Sequence, residues 1–215
     1  MSAAPMKSKR RHIPVLAILS AAGMWASVAL PAIANDSAYT KIDFDKTCQW
    51  DKRTPEEEDE GMGGCATCQG YGANVVRFCE GDLRQSVHYG SAVPDEPGWN
   101  SFGEFNHVSL TVEWRLSAGE PVAAIHRFFI ENVNDNGEVT PDRKGQVLVI
   151  STVSHPGSPL SCPAGFVDAR ANADANELAR QVADTVAPGF RCGVDRPAYH
   201  GTRGVLSGSP TAMSQ

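Results

Sequence analysis

The stretch VSLTVEWRLS, residues 108–117, decides the fold class. Val108, Leu110, Val112, Trp114 and Leu116 alternate with Ser109, Thr111, Glu113, Arg115 and Ser117, which is the period of two of a strand with one buried face. The following Ser117-Ala-Gly-Glu-Pro121 supplies Gly and Pro where a hairpin must reverse, and Val122 to Glu131 reads as the partner strand. Asn134-Asp-Asn-Gly137 is a second turn, because Asn and Gly accept positive φ, and the β-branched run Gln146 to Val153 follows it. Residues 104–155 therefore read as a three-stranded antiparallel meander.

Working outward, Tyr39 to Phe44 reads as a short strand, and Ala73 to Glu80 and Leu83 to Tyr89 read as a hairpin closed across Gly81-Asp82. Gly90 to Gly103, with Pro94, Pro97, Gly98 and Trp99, is a loop long enough to be a binding loop or a crossover. Ser154 to Pro163 is a connection and Gly165 to Ala169 a brief strand. Asp174-x-x-Glu177 has the form of a capping box for a helix that places Leu178, Val182 and Val186 on one face, and Pro188-Gly189 ends it. Gly201 to Gln215 reads as a disordered tail. The expectation is an α+β fold in a single domain over residues 35–200. It comprises a mainly antiparallel, twisted sheet of about six or seven strands with one C-terminal helix packed on it, stapled by disulfides.

The first 34 residues carry a different signal. Lys7, Lys9, Arg10 and Arg11 precede an apolar run from Ile13 to Leu30 that ends in Pro31-Ala-Ile-Ala34, the plan of a secretory signal peptide cut after Ala34. Past Leu30 no apolar run is long enough to span a bilayer. Four of the 19 Lys and Arg precede the cut and all 25 Asp and Glu follow it, so the exported chain is strongly acidic. Such a charge argues against nucleic acid and anionic membranes and leaves basic proteins or cations as partners. The acidic run Glu56 to Glu60 is most simply a solvated loop.

All six cysteines, Cys48, Cys65, Cys68, Cys79, Cys162 and Cys192, follow the cut, and an even count in an exported chain reads as disulfides. Cys162 and Cys192 flank the helix and lie far from the other four, so they pair. Among the remaining four the pairing stays open, with Cys48–Cys68 and Cys65–Cys79 favoured. Cys65-Ala-Thr-Cys68-Gln-Gly-Tyr-Gly72 also fits the repeat of DnaJ-type zinc modules, but that family needs paired repeats and one is present here. A thiol redox role for Cys65 and Cys68 needs a helix start, which the flanking glycines oppose. No cofactor or metal is expected.

Taken together, the segments YTKIDFDKTC, CQGYG, CEGDLRQSVHYG, TVEWRL, GFVDARANADANELARQVAD and FRCG resemble a group of small exported proteins of Gram-negative bacteria with no assigned activity. The resemblance implies no catalytic residues. It implies cysteines kept at positions 48, 68, 162 and 192, so that Cys65 and Cys79, which depart from the pattern, bond to each other.

No nucleophile elbow, metalloprotease helix or phosphate-cradling loop is present. The expected function is that of a non-catalytic periplasmic or secreted binding protein, with the long loop and the acidic loop as its contact surface and Trp99, Glu104 and His107 as the contact residues at the long loop. Inhibition of a basic envelope enzyme would suit its charge. The alternatives are an envelope hydrolase using Glu104 and His107 as acid and base, or a thiol redox or zinc protein using Cys65 and Cys68. His126 shares a face with Val122, Ala124, Phe128 and Ile130 and reads as a satisfied core histidine. Glu113 and Arg115 are expected to form an outward charge ladder with Arg127 and Glu131. The exported protein, denatured without reductant in the presence of a thiol-alkylating reagent, is expected to take up no label and to lie six hydrogens below its reduced mass. Labelled Cys65 and Cys68, or stoichiometric zinc, would favour the redox or metal reading instead.

Overall fold

The computed structural model of the chain describes residues 36–55, 63–94, 97–134 and 136–211. The signal-peptide segment and the acidic run at 56–60 lie outside the described residues. The meander is present as three long strands, β7 (Phe105–Ser117), β8 (Glu120–Val133) and β9 (Val139–Thr152). Ala118 and Gly119 both adopt positive φ in the two-residue turn between β7 and β8, the geometry that matches the twist of the paired strands. Around this meander a six-stranded sheet assembles in the order β1-β7-β8-β9-β10-β11, with β1 at Asp36–Lys41, β10 at Pro163–Asp168 and β11 at Ala198–Tyr199. All its pairings are antiparallel except β10 with β11.

The strands do not form one sheet. A second, four-stranded sheet is built from consecutive hairpins, β2 (Cys48–Trp50), β3 (Gly64–Gln69), β4 (Val75–Gly81) and β5 (Arg84–Gly90). A two-stranded pair joins β6 (Ser101–Phe102) to β12 (Pro210–Thr211). The reason lies in the composition of β8 and β9, which are apolar on both faces. Ala124, Phe128, Ile130, Val147 and Val149 pack with Val76, Phe78, Val87 and Tyr89 of the four-stranded sheet. Ala123, Ile125, Leu148 and Ile150 of the opposite face pack with the helix. A sheet apolar on both sides needs a cover on both, and the result is three layers: sheet, sheet and helix.

The helix, α1 (Ala175–Thr185), buries Ala175, Ala179, Val182 and Ala183, with Leu178 and Val186 only partly buried at the margins. Alanines set the face, so the helix lies close to the sheet. The expected capping box does not form: Asp174 sits at φ −104°, ψ 26° and makes no side-chain cap bond. That conformation lies outside the extended region from which an N-cap side chain reaches back to the helix. Glu177 instead lies 3.7 Å from Arg180.

Two further expectations change. Leu110 is 55% exposed rather than inward, because β7 carries three residues between Val108 and Val112 where β8 carries only Arg127 between their partners, a bulge that turns Leu110 out of the core. Glu113 and Arg115 also do not form a ladder with Arg127 and Glu131. Helix α1 covers their face, Arg115 is only 6% exposed, and its guanidinium grips Asp184 through Nε at 2.9 Å and Nη2 at 2.7 Å. Ser37 accepts from Arg115 Nη1 and donates to Glu113, which pairs at 2.7 Å with Arg180 Nε. One network thus ties β1, β7 and the helix together.

The segment from Gly201 to Thr211 is not a disordered tail. Buried Asp168 accepts from the backbone N–H of Arg170 and Ala171 through one oxygen and from Gly204 N–H through the other. Asn132 Nδ2 donates to Leu206 O, and the chain ends its described course as β12 on β6. Gly145 makes this approach possible, since a Cβ placed there would lie 1.8 Å from Leu206 O. Gly145→Ala is therefore expected to lift the 201–211 segment off the sheet, to cost about 1–3 kcal/mol in denaturant unfolding and to open the segment to proteolysis. Wild-type stability and protease resistance in that variant would refute the packing described.

Candidate functional site

The disulfides are Cys48–Cys68, Cys65–Cys79 and Cys162–Cys192, and no cysteine is free. Cys65 and Cys68 bond to different partners on either side of β3, so the zinc and thiol-redox readings of that pair are withdrawn. Each N-terminal bridge joins residues directly opposite in register, whereas the third ties the segment after the helix to the start of β10.

The three residues singled out near the long loop are not assembled into one site. Glu104 Oε2 accepts from Ser209 N–H at 2.7 Å and so anchors the C-terminal segment. His107 stacks on Phe129 at 4.9 Å, with its Nδ1 3.5 Å from Glu131. No hydrogen bond or ion pair joins Glu104 to His107 among the described residues. Trp99 lies over Gly81, so this part of the loop rests on the β4–β5 hairpin. The next residue, Asn100, donates its backbone N–H to Ser86 Oγ.

Beneath that loop is a buried polar row. His88 is 1% exposed; its Nδ1 lies 2.9 Å from Ser161 O, and its Nε2 lies 3.2 Å from Gly98 O and 3.4 Å from Ser86 Oγ. Burial pulls its pKa down, opposed by the carbonyls of Ser161 and Gly98, and Arg77 across the strand pair adds repulsion. Arg77 is itself held by both oxygens of Asp51, whose pKa this guanidinium lowers. Ser86 and His88 are in hydrogen-bond reach, yet both are buried and the serine oxygen is occupied by Asn100. The arrangement fixes the loop; it does not present a nucleophile.

His126 is satisfied as expected, at the centre of the core. Its Nε2–H donates to Ser109 O at 2.6 Å, which leaves Nδ1 to accept from the Tyr89 hydroxyl at 2.9 Å. Burial drives the His126 pKa down to about 4 and that of Tyr89 up, so both are neutral at pH 7.

A cleft of about 630 Å³ opens beside the β10–β11 pair, with Asn100 and Cys162 among its lining. Phe166 of β10 and Tyr199 of β11 contribute adjacent rings 5.3 Å apart, and Phe190 adds a third apolar wall. Arg203 stacks over Tyr199 at 4.5 Å and donates to Gly208 O and Ser207 Oγ, so it is held in place. Asp195 is taken up by Arg191, which donates from its Nη2 and Nε as well as its backbone N–H. Arg196 lines the same cleft and is exposed. The volume falls within the roughly 300–1,000 Å³ of small-molecule pockets. Reading the sequence alone missed this place because its walls come from a strand, a post-helix loop and a segment taken for a tail. The one available signal was the run Arg196-Pro-Ala-Tyr-His-Gly-Thr-Arg203, basic and aromatic in an acidic chain.

The buried histidines set a pH dependence. An unfolded histidine titrates near 6.5, above folded His126, so the unfolded chain takes the proton first. Stability is complete above pH 6.5 and is expected to fall by about 3 kcal/mol from His126 alone as pH drops toward 4. Burial of His88 acts in the same direction. Denaturant titrations at pH 7 and pH 4 check this, and His126→Gln, which retains a donor and an acceptor, is expected to flatten the slope. An unchanged slope in that variant would remove His126 as its source. Compared with protein-family models, with curated proteins and with solved structures, the chain finds no match in any of the three.

Proposed function

We propose that the protein is a non-catalytic ligand-binding protein of an oxidising compartment, periplasmic or secreted, and that the cleft beside β10 and β11 is its binding site. Three disulfides and the absence, among the described residues, of any helix long and apolar enough to cross a membrane agree with that placement. The signal-peptide reading of residues 1–34 supports it from the sequence side. The observation that carries the proposal is the cleft itself, a hollow walled by Phe166, Phe190 and Tyr199 with Asn100, Arg196 and Arg203 among its polar lining.

The parts of the molecule that sequence reasoning offered for catalysis serve other ends. Glu104 anchors a chain segment, and His107 stacks on Phe129 with Glu131 beside it. The walls of the cleft, in contrast, are stabilised from behind. Phe166 is backed by Phe102 at 6.0 Å, and the Cys162–Cys192 bridge pins the loop that precedes Arg196. A hollow held open by the fold costs a ligand little ordering on entry.

The neutral fluorophore phenylnaphthylamine is expected to bind the oxidised protein saturably at one site. Val194→Trp, a change at an exposed residue of the rim, should weaken that binding by about tenfold or more, or about 1.4 kcal/mol. Binding that is non-saturable, or that the variant leaves unaltered, would overturn the assignment of the cleft.

A further inference from the structure

The chain is acidic overall, at a formal net charge of −6, yet the cleft beside β10 and β11 is lined by two arginines and one carboxylate. The three charges are not equivalent. Asp195 is neutralised by Arg191 through two side-chain bonds at 2.7 and 3.1 Å. Arg203 is held through Nε to Ser207 Oγ and through Nη2 to Gly208 O. Arg196 alone among the described arginines makes no hydrogen bond or ion pair.

Arg196 is also presented on a built segment. Asp195 N–H and Val194 N–H both donate to Arg191 O, closing a turn, and the Cys192 bridge fixes that turn to the start of β10. Pro197 follows and restricts the Arg196 backbone to extended conformations. Strand β11 then begins at Ala198. A guanidinium so placed, at the mouth of a hollow walled by Phe166, Phe190 and Tyr199, offers a planar pair of donors beside apolar surface.

We infer that the cleft takes an organic anion: a carboxylate, sulfonate or similar group on an apolar, ring-bearing body, with Arg196 pairing the anionic group and the aromatic walls covering the rings. This rests on the reading of the cleft as a binding site and adds the class of ligand. Two other acids stand near Tyr199, Glu104 and Asp168, and both are occupied by backbone N–H donors of the C-terminal segment, which reduces their opposition to an anion.

The test compares two probes that share one ring system, neutral phenylnaphthylamine and anilinonaphthalene sulfonate, by fluorescence titration of the full oxidised protein. The sulfonate is expected to bind about tenfold tighter than the neutral probe, and its affinity to fall as salt rises. Arg196→Gln, a change at an exposed residue without partners, is expected to abolish both the preference and the salt dependence. Equal affinity for the two probes in the wild type, or a preference that survives Arg196→Gln, would overturn the anion inference and leave the cleft as a binding site. Failure of both probes to bind would overturn the cleft reading itself.

Discussion

Burial of the central sheet on both faces is the constraint from which the rest of the structure follows. Strands β8, β9 and β10 carry apolar side chains toward both neighbours, and such strands are stable only between two covers. The four-stranded hairpin sheet supplies one cover and the alanine-faced helix the other. The polar residues caught between layers then have to be satisfied in place. Arg115, Glu113 and Ser37 meet Asp184 and Arg180 of the helix, while His126 and Tyr89 meet each other and Ser109 O. Each of these groups would be costly if left alone, and each fixes the register of the layers it joins.

The same constraint locates the cleft. Helix α1 occupies the crossover between β10 and β11, so the chain must return from the helix to the far edge of the sheet. The return path carries a disulfide and Pro197, and the C-terminal segment anchored by Asp168 follows once β11 is complete. The hollow lies where the edge of the sheet, the return loop and the C-terminal segment meet without filling the space between them.

Legibility in the sequence followed the range of the interactions. Alternation in residues 108–117 and the turn residues at 117–121 and 134–137 are local, and they gave the meander correctly. His126 was readable as a core residue because its neighbours at alternate positions are apolar. The helix was visible through its period, but the charges of Glu113 and Arg115 were read as solvent-facing since nothing nearby in sequence reveals that Arg180 and Asp184 cover them. Leu110 was misplaced because a bulge leaves no mark in an alternating pattern. The C-terminal residues looked like a tail because they are rich in Gly and Ser. They are held instead by backbone donors reaching Asp168 and Glu104, a form of attachment that composition does not record. The cleft depends on three such long-range placements, and only its basic, aromatic composition was visible beforehand.

The edge position of β1 bears on how the molecule comes together. Its partner is β7, with Asp36 opposite Leu116, so the first strand made must wait for the seventh. The four-stranded sheet, by contrast, pairs consecutive segments, and its two bridges close loops of 20 and 14 residues. Local closures of this kind precede distant ones. A chain supplied N-terminus first can therefore complete and oxidise its smaller sheet while the central layer is still unmade, with Val76, Phe78, Val87 and Tyr89 facing water in the interval. That interval is the period in which the chain is most exposed to aggregation, and it ends when β7 to β9 arrive to cover those side chains.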